Sequence, residues 1–261
     1  MKRKRKIIFI PMYNCGPQIS RVLRKFNSDI CQDFEEVLIV DNGSTDNSLE
    51  AATEAKKNIK NLKVTIVKNV ENYNLGGSHK VAFNYAVDKS FDYIVVLHGD
   101  DQGDVRDVLP VFKNDDYVNY DCILGSRFMK GSRLNGYSKF RIYGNLVINL
   151  VGSIFSGKII KDMGAGLNIY NVEMLKDRFY LSFPNGLTFN YYLLFYTVAI
   201  KRRFKFFPLS WSEDDQVSNL NLFNHSKEWL EVLLKFIFQR KIFLKGTEKN
   251  RDYKFEVYSD T

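Results

Sequence analysis

The first part of the chain alternates short runs of β-branched residues with segments whose apolar residues recur at helical spacing. The runs lie at residues 6–11, 36–40, 64–67, 93–97 and 122–124. Between the first two runs, Ile19, Val22, Leu23 and Phe26 share one face of a helix. This alternation predicts βαβ units and a mainly parallel sheet. Ligands of such sheets bind in the loops that follow the carboxyl ends of the strands.

The pattern changes beyond about residue 125. A basic loop over residues 127–141 precedes an apolar helix that ends near Phe155, a short strand near 167–170 and a helix near 188–200. We expect one domain over residues 1–223, with halves at about 1–125 and 126–223. An amphipathic helix over 224–245 follows, and residues 246–261 are polar enough for a partly disordered tail.

Composition narrows the classes of partner. The formal net charge is +8 and the isoelectric point is about 9.2, which favours phosphates, acidic lipid or nucleic acid. The basic residues are scattered and no RNA or DNA motif is present, so we expect no nucleic-acid partner. Cys15, Cys31 and Cys122 lie far apart, which indicates neither a zinc site nor a disulfide framework and fits a reducing compartment.

No segment predicts a membrane span. The basic start and the apolar residues after it imitate a signal peptide, but the run ends at Pro11 with no small-residue cleavage site. It fits a buried first strand better. The longest apolar stretches, 146–155 and 187–200, fall short of the roughly 18 residues that a spanning helix needs.

Two loops after predicted strands have the residues of a nucleotide site. Asp41 ends the second strand before Asn42-Gly43-Ser44, and its carboxylate can bond a ribose or a base edge, although a plain turn fits equally well. Gly76 and Gly77 open a helix with Lys80 nearby, which favours an anionic group. Neither loop is a Walker or GxGxxG motif, so kinase and dehydrogenase chemistry are not supported.

The strongest local signal follows the fourth strand. If strand geometry persists past Leu97, period-two alternation puts His98, Asp100 and Gln102 on one side and Asp101 on the other. A nitrogen, a carboxylate and an amide oxygen at a strand end can hold a divalent cation that neutralises a diphosphate. The alternative, that the aspartates only solvate a loop, stays open.

These motifs, in this order, resemble the family 2 glycosyltransferases of GT-A fold, particularly the dolichol- and polyprenyl-phosphate sugar transferases. The resemblance extends from about residue 6 to 207. It implies an α/β, Rossmann-like fold with a mostly parallel central sheet flanked by helices. It also implies a nucleotide-sugar half up to about residue 125 and an acceptor half after it.

The resemblance implies a role for each matching residue. The family's P-x-Y-N-E and V-D-D-G-S segments hold the nucleoside, which implies that role for Pro11, Tyr13 and Asp41. Its N-x-G-x-G loop matches Asn74, Gly76 and Gly77, and Lys80 joins this predicted donor site because of its charge near the helix start. Its D-A-D-x-Q motif binds Mg²⁺ or Mn²⁺ with the diphosphate and falls on His98, Asp100 and Gln102. Its G-S-R and a further arginine imply that Arg127 and Arg141 hold the acceptor phosphate, and its D-x-x-S-G-F segment places Asp162 beside the sugar.

Three positions depart from the family pattern. Cys15 replaces a glutamate that contacts ribose, Asn42 replaces the second aspartate of the D-D pair, and His98 replaces the first metal-motif aspartate. Imidazole can ligate Mn²⁺, so metal binding can survive with an altered metal preference.

The expected activity is metal-dependent, inverting transfer from a UDP- or GDP-sugar to a polyprenyl or dolichyl phosphate. An ionised phosphate acceptor needs no general base, and residues 187–192 contain no carboxylate while Arg127, Arg133 and Arg141 cluster upstream. Asp162 and the acidic run 213–215 keep open a transferase that acts on a sugar hydroxyl in cell-surface polysaccharide synthesis. Cys15 and His98 motivate a third alternative, a degenerate GT-A scaffold.

The terminal helix carries Trp229, Leu233 and Phe238 among other apolar residues, edged by lysines and arginines. Such a helix can lie in a membrane interface, where each well-placed cation adds roughly 1 kcal/mol on acidic lipid. Packing on the domain core is the alternative. We expect a cytoplasmic protein, peripheral on the inner face of the membrane, and the sequence leaves its oligomeric state open.

Overall fold

The computed structural model describes residues 3–213, 222–248 and 251–260. The strands are β1 (Lys6–Met12), β2 (Glu36–Asp41), β3 (Lys63–Asn69), β4 (Tyr93–Leu97), β5 (Cys122–Ser126), β6 (Arg133–Asn135), β7 (Leu167–Asn171), β8 (Phe204–Pro208), β9 (Ser210–Ser212) and β10 (Phe255–Ser259). The helices are α1 (Gly16–Arg24), α2 (Ser28–Asp33), α3 (Ser48–Lys56), α4 (Asn74–Asp88), α5 (Leu109–Lys113), α6 (Lys139–Ser156), α7 (Phe189–Ala199), α8 (Leu222–Phe238) and α9 (Arg240–Lys245).

The central sheet has eight strands in the order β10-β3-β2-β1-β4-β7-β5-β8. Strands β3, β2, β1 and β4 are parallel, and their near-continuous apolar sequences fit burial on both faces. Strand β7 runs antiparallel to both β4 and β5, and β8 runs parallel to β5. The predicted α/β class, with a large central sheet flanked by helices, is confirmed.

Each face of the sheet has its own apolar core. Alternate residues of β1 enter different cores: Phe9 packs with α4, α7, α8 and α9, whereas Ile8 and Ile10 pack with α1 and α3. Phe83 and Phe189 are fully buried in the first core. The carboxyl edge of the parallel strands is left for the loops that form the site.

The terminal segments differ from their predicted form in two ways. The predicted single helix is two helices, α8 and α9, that meet at Gln239, and Trp229, Phe236 and Phe243 are buried in the core. Packing therefore accounts for the main apolar face. The predicted disordered tail is wrong for β10, which pairs antiparallel with β3 and covers an otherwise unpaired sheet edge.

A small second sheet lies beside the loop after β4. Strands β6 and β9 pair in parallel, and the backbone N–H of Ser212 donates to the carbonyl of Gln102 over 3.0 Å. The backbone N–H of Glu213 donates to the carbonyl of Asn135 over 3.0 Å. These bonds bring Glu213 to the end of the loop after β4, residues 98–102, which we call the metal-motif loop.

No helix within the described ranges is both long and apolar enough to cross a bilayer.

Gly125 in β5 tests how tightly the sheet is packed. A Cβ there would overlap the carbonyl oxygen of Leu167 and the side chain of Leu209, and β7 is fixed by pairing on both sides. We expect Gly125→Ala to lower the unfolding free energy by about 1–3 kcal/mol, measured by urea unfolding. Gly144→Ala is the control: it faces open space on α6 and should stabilise by up to about 1 kcal/mol. Equal stability of Gly125→Ala and the wild type would contradict this packing.

Candidate functional site

A cleft of about 290 Å³ lies at the carboxyl ends of β1, β2 and β4. Its walls come from the tip of β1, the first residue after β2, the start of α4, the loop after β4 and the residues before α7. The lining residues are Pro11, Met12, Tyr13, Cys15, Asn42, Asn72, Asn74, Leu75, Ser78, His98, Gly99, Asp100 and Leu187. Of the predicted donor-site residues, the cleft therefore gathers Pro11, Tyr13, Asn74, His98 and Asp100.

The loop after β4 is held against the tip of β1. The backbone N–H of Gly99 donates to the carbonyl of Pro11 over 3.2 Å. A Cβ at residue 99 would lie 2.9 Å from that carbonyl oxygen, so only glycine permits the approach. This contact puts Asp100 in the same cleft as Tyr13, whose ring is 51% exposed.

Asp100 and His98 form the metal-competent part of the cleft. The Oδ2 of Asp100 lies 3.9 Å from the Nδ1 of His98, and its Oδ1 accepts the backbone N–H of Gln102. Burial lowers the pKa of His98, which keeps the imidazole neutral and able to donate a lone pair. The buried Nε2 of His98 has no hydrogen-bond partner within the described residues. A carboxylate and a neutral imidazole at this separation fit a shared divalent cation.

Gln102, the third predicted metal ligand, turns away from this pair. Its Nε2 lies 3.4 Å from the Oε1 of Glu213, and Gln102 is not among the residues that line the cleft. The described residues include no group of three His, Cys, Asp or Glu side chains that converge as metal ligands. The protein donors in the cleft are thus Asp100 and His98.

Asn42 joins the second strand to the start of α4. Its Oδ1 accepts from the Nδ2 of Asn69 over 2.9 Å and from the backbone N–H of Tyr73 over 2.8 Å. Its Nδ2 donates to the Oδ1 of Asn72 over 2.8 Å. Sequence reasoning recognised Asn42 only as a departure from the family, although its place directly after a strand tip was a signal for a cleft position.

Asp41 lies behind the wall of the cleft, and its contact with the nucleoside stays a prediction. Asp41 is fully buried, and its carboxylate accepts the backbone N–H groups of Gly43 and Ser44 over about 3.2 Å. It shapes the turn that follows β2 and leaves the lining position to Asn42.

The glycine pair and Lys80 also have structural roles. The N–H groups of Gly76 and Gly77 donate to the carbonyl of Asn185, over 2.6 and 3.3 Å. Lys80 is fully buried, and its ammonium group contacts the carbonyl of Phe183, the Oδ1 of Asn185 and the hydroxyl of Tyr253. Burial lowers its pKa to about 8. These residues therefore fix α4 against the loop before α7, and their contact with a diphosphate stays a prediction.

Arg127 and Asp162 form a buried ion pair. The Nε and Nη2 of Arg127 each donate over 2.8 Å to the two carboxylate oxygens of Asp162, and both side chains are at most 5% exposed. The guanidinium also lies on the rings of Tyr137 and Trp211. Neither the predicted phosphate contact of Arg127 nor the predicted sugar contact of Asp162 is open in this arrangement, because each side chain satisfies the other.

Arg141 lies nearer to solvent, in the first turn of α6. Its Nη1 donates to both carboxylate oxygens of Glu213, over 2.7 and 2.6 Å. The two side chains are 25% and 17% exposed. The other two carboxylates of the acidic run, Asp214 and Asp215, lie outside the described residues.

Cys15 lines the cleft where the family has a glutamate. Burial raises the pKa of its thiol to about 12. The thiol therefore stays neutral and does not supply the negative charge that a glutamate would place in this part of the cleft. Sequence reasoning also missed Met12, Leu75, Ser78 and Leu187 as lining residues. Met12 ends β1, Leu75 and Ser78 lie in the first turns of α4, and Leu187 precedes α7, and residues of these types are common at such places, so no local signal marked them.

The fold and the cleft together define a nucleotide-binding α/β domain, and comparison with known proteins gives its family. The profile of glycosyl transferase family 2 matches residues 7–179, and the chain belongs to that family. It therefore contains a family 2 glycosyltransferase domain.

Two relatives show how far the similarity extends. An uncharacterized protein of Methanocaldococcus jannaschii is 24% identical over 169 residues, which cover 65% of this chain and 65% of that protein. The UDP-N-acetylglucosamine–dolichyl-phosphate N-acetylglucosaminyltransferase of Methanococcus voltae is 23% identical over 179 residues, which cover 65% of this chain and 70% of that enzyme. The similarity thus spans about two thirds of these relatives.

A solved structure shows the same fold. Glucosyl-3-phosphoglycerate synthase from Mycobacterium tuberculosis, in complex with Mn²⁺, UDP and phosphoglyceric acid, is 13% identical with a TM-score of 0.64. The match covers 98% of this chain and 89% of that one. The predicted GT-A fold is confirmed.

The ion pair of Asp162 with Arg127 can be tested apart from activity. We expect Asp162→Asn to lower the unfolding free energy by about 3 kcal/mol, because it leaves a buried guanidinium without its counter-charge. Glu173→Gln, which removes an exposed pair with Lys176, should cost less than about 0.5 kcal/mol. Chemical denaturation of both variants measures the difference, and similar small losses would show that Asp162 is not a structural anchor.

Proposed function

We propose that this protein transfers a sugar, with inversion, from a UDP- or GDP-sugar to a polyprenyl or dolichyl phosphate at a membrane surface. The observation that carries the proposal is the pairing of Asp100 with His98 in the cleft of a family 2 domain. The M. voltae relative, a dolichyl-phosphate N-acetylglucosaminyltransferase by name, supports the choice of acceptor.

The nucleoside end of the cleft is formed by Tyr13, Asn42 and Asn74. The half-exposed ring of Tyr13 offers a flat surface on which a base can stack. The exposed amide of Asn74 offers polar contacts to ribose or base edges without adding negative charge near a diphosphate, and Asn42, bonded to Asn69, Asn72 and Tyr73, supports the wall beside it. Neither feature selects between uracil and guanine, so the proposal keeps both donors.

Asp100 and His98 would hold the divalent cation, with the remaining positions left to diphosphate oxygens and water. A set of one carboxylate and one imidazole suits Mn²⁺ and is less typical of Mg²⁺, which prefers oxygen donors. When bound, such a cation offsets the negative charge that develops on the departing diphosphate. The Mn²⁺ and UDP in the M. tuberculosis neighbour support this assignment.

The acceptor end lies beyond Gln102, where Arg141 meets Glu213. An acceptor phosphate would compete with Glu213 for the guanidinium of Arg141, and a phosphate that is already ionised needs only positioning and charge neutralisation. Arg127 contributes here only indirectly, since it is bound to Asp162 and lies on Tyr137. Arg141 is therefore the arginine that this proposal assigns to the acceptor.

Glu213 also favours a second candidate, transfer to a sugar hydroxyl. A hydroxyl acceptor needs a general base, and the carboxylate of Glu213 lies within 3.4 Å of Gln102 at the end of the metal-motif loop. In that case Arg141 would orient the base, and the substrate would be a growing glycan.

Asp100→Asn tests the metal assignment. We expect at least about a 100-fold fall in kcat/KM for transfer from UDP- or GDP-sugars to a short polyprenyl phosphate with Mn²⁺, at unchanged Tm. The neighbouring Asp101→Asn is the control, because the Asp101 carboxylate pairs with Arg21 and Lys25 and does not line the cleft. Full activity of Asp100→Asn would refute the assignment.

Glu213→Gln separates the two acceptors. If the acceptor is a phosphate, transfer to polyprenyl phosphate should fall by less than about tenfold, since no proton has to be removed. If the acceptor is a hydroxyl, loss of the base should lower kcat by about 10²–10⁴-fold. Radiolabelled product from polyprenyl phosphate and from oligosaccharide acceptors, assayed side by side, decides between them.

A further inference from the structure

Helix α6 turns its apolar face outward. Phe140, Tyr143, Val147, Leu150 and Ile154 recur every three or four residues along it, and each is at least 59% exposed. We call these five side chains the α6 stripe. An outward apolar face of this length marks an interaction surface.

The inward face of α6 combines small and polar residues with Ile148 and Val151, which pack against the first core. Gly152 packs on Met163, the Nδ2 of Asn149 donates to the carbonyl of Lys161 over 2.9 Å, and the Oδ1 of Asn149 accepts the backbone N–H of Met163. The helix is thus anchored through Asn149 and Gly152, and the α6 stripe is not needed to hold it on the domain.

The segment around α6 is free of acidic residues. Residues 122–161 contain seven Lys or Arg and no Asp or Glu, although Arg127 and Arg141 are paired with carboxylates from outside the segment. Lys139 lies on the exposed arc of the helix, beside Phe140. Beyond the other end, Lys158 and Ile159 share an open groove of about 670 Å³ with exposed Lys201, Arg202 and Arg203.

We propose that the α6 stripe, with the basic residues at its two ends, docks on an anionic phospholipid bilayer. An apolar face bordered by cations buries its side chains at the acyl boundary while the lysines and arginines meet anionic headgroups. A second copy of this chain fits less well, because a two-fold contact would bring one basic surface, in which Arg202 is paired with Asp121, against itself. The exposed side of α8 is also less suitable, because Glu228 and Glu231 lie beside Leu230.

This inference rests on the proposed lipid acceptor and gives it a direction of approach. Arg141 lies in the first turn of α6, next to Phe140, and bonds Glu213 at the acceptor end of the site. A bilayer against the α6 stripe would therefore lie close to that end. The acceptor's phosphate would reach the site from the membrane with little exposure of its apolar chain.

Vesicle sedimentation of the full chain tests the docking surface. We expect binding to vesicles of equimolar phosphatidylcholine and phosphatidylglycerol, and much weaker binding to phosphatidylcholine alone. Leu150→Asn with Ile154→Asn should lower the partition coefficient about tenfold or more. Val70→Asn with Val257→Asn is the matched control at the β3–β10 edge, where both valines are 60% exposed, and it should bind like the wild type.

A second pair of variants tests the charges without altering the apolar face. Lys139→Gln with Lys158→Gln should lower binding to the anionic vesicles by about tenfold or more and flatten its dependence on salt. Wild-type binding by the α6 stripe variant, or a dimer that this variant dissociates while vesicle binding persists, would overturn the assignment.

Calorimetric titration of UDP with Mn²⁺, without vesicles, separates the two proposals. A protein that binds nucleotide and transfers sugar but ignores anionic vesicles overturns the docking inference alone. A protein that binds the vesicles through the α6 stripe but transfers no sugar to polyprenyl phosphate overturns the proposed function and supports the docking surface.

Discussion

The contact between Gly99 and Pro11 is the constraint on which the cleft depends. The parallel register of β1 with β4 brings the two strand ends together, and the N–H of residue 99 then bonds the carbonyl of residue 11. A side chain at position 99 would push the loop off by its overlap with that oxygen. Asp100 and Tyr13 face one cleft because the backbones meet there, so the geometry of the cleft depends on sheet pairing and on the absence of a side chain at Gly99.

The sequence predicted β1 to β5, β7, the fold class and the edge of the sheet where the cleft lies, because these follow from local apolar periodicity and from the rule for parallel sheets. The side chain of Gln102 departs from its predicted position for a definable reason. The predicted alternation of side chains requires strand geometry past Leu97. Strand β4 ends at Leu97, however, and Asp101 has a positive φ of 64°. The parity of side chains is lost at that residue, and Gln102 points to Glu213.

The burial of charged side chains could not be predicted from their residue types. Asp41, Lys80, Arg127 and Asp162 have the residue types of a substrate site, yet each is buried and bonded to its own scaffold. Whether a charged side chain faces a ligand or a neighbouring loop depends on contacts between segments far apart in sequence, such as Tyr253 with Lys80. The same holds for β10: its few alternating residues become a strand only because β3 offers an unpaired edge.

The three departures from the family pattern are matched to their surroundings. Asn42 must donate to the Oδ1 of Asn72 while it accepts from Asn69 and Tyr73, which an ionised aspartate cannot do, so the asparagines form one consistent set. Cys15 fills a buried position where burial keeps its thiol neutral. Burial lowers the pKa of His98 beside Asp100, which fits the ligand role proposed for it. A cleft that no longer bound a substrate would not need these hydrogen bonds and neutral side chains to fit together. Their fit therefore supports the proposed donor site over a degenerate scaffold.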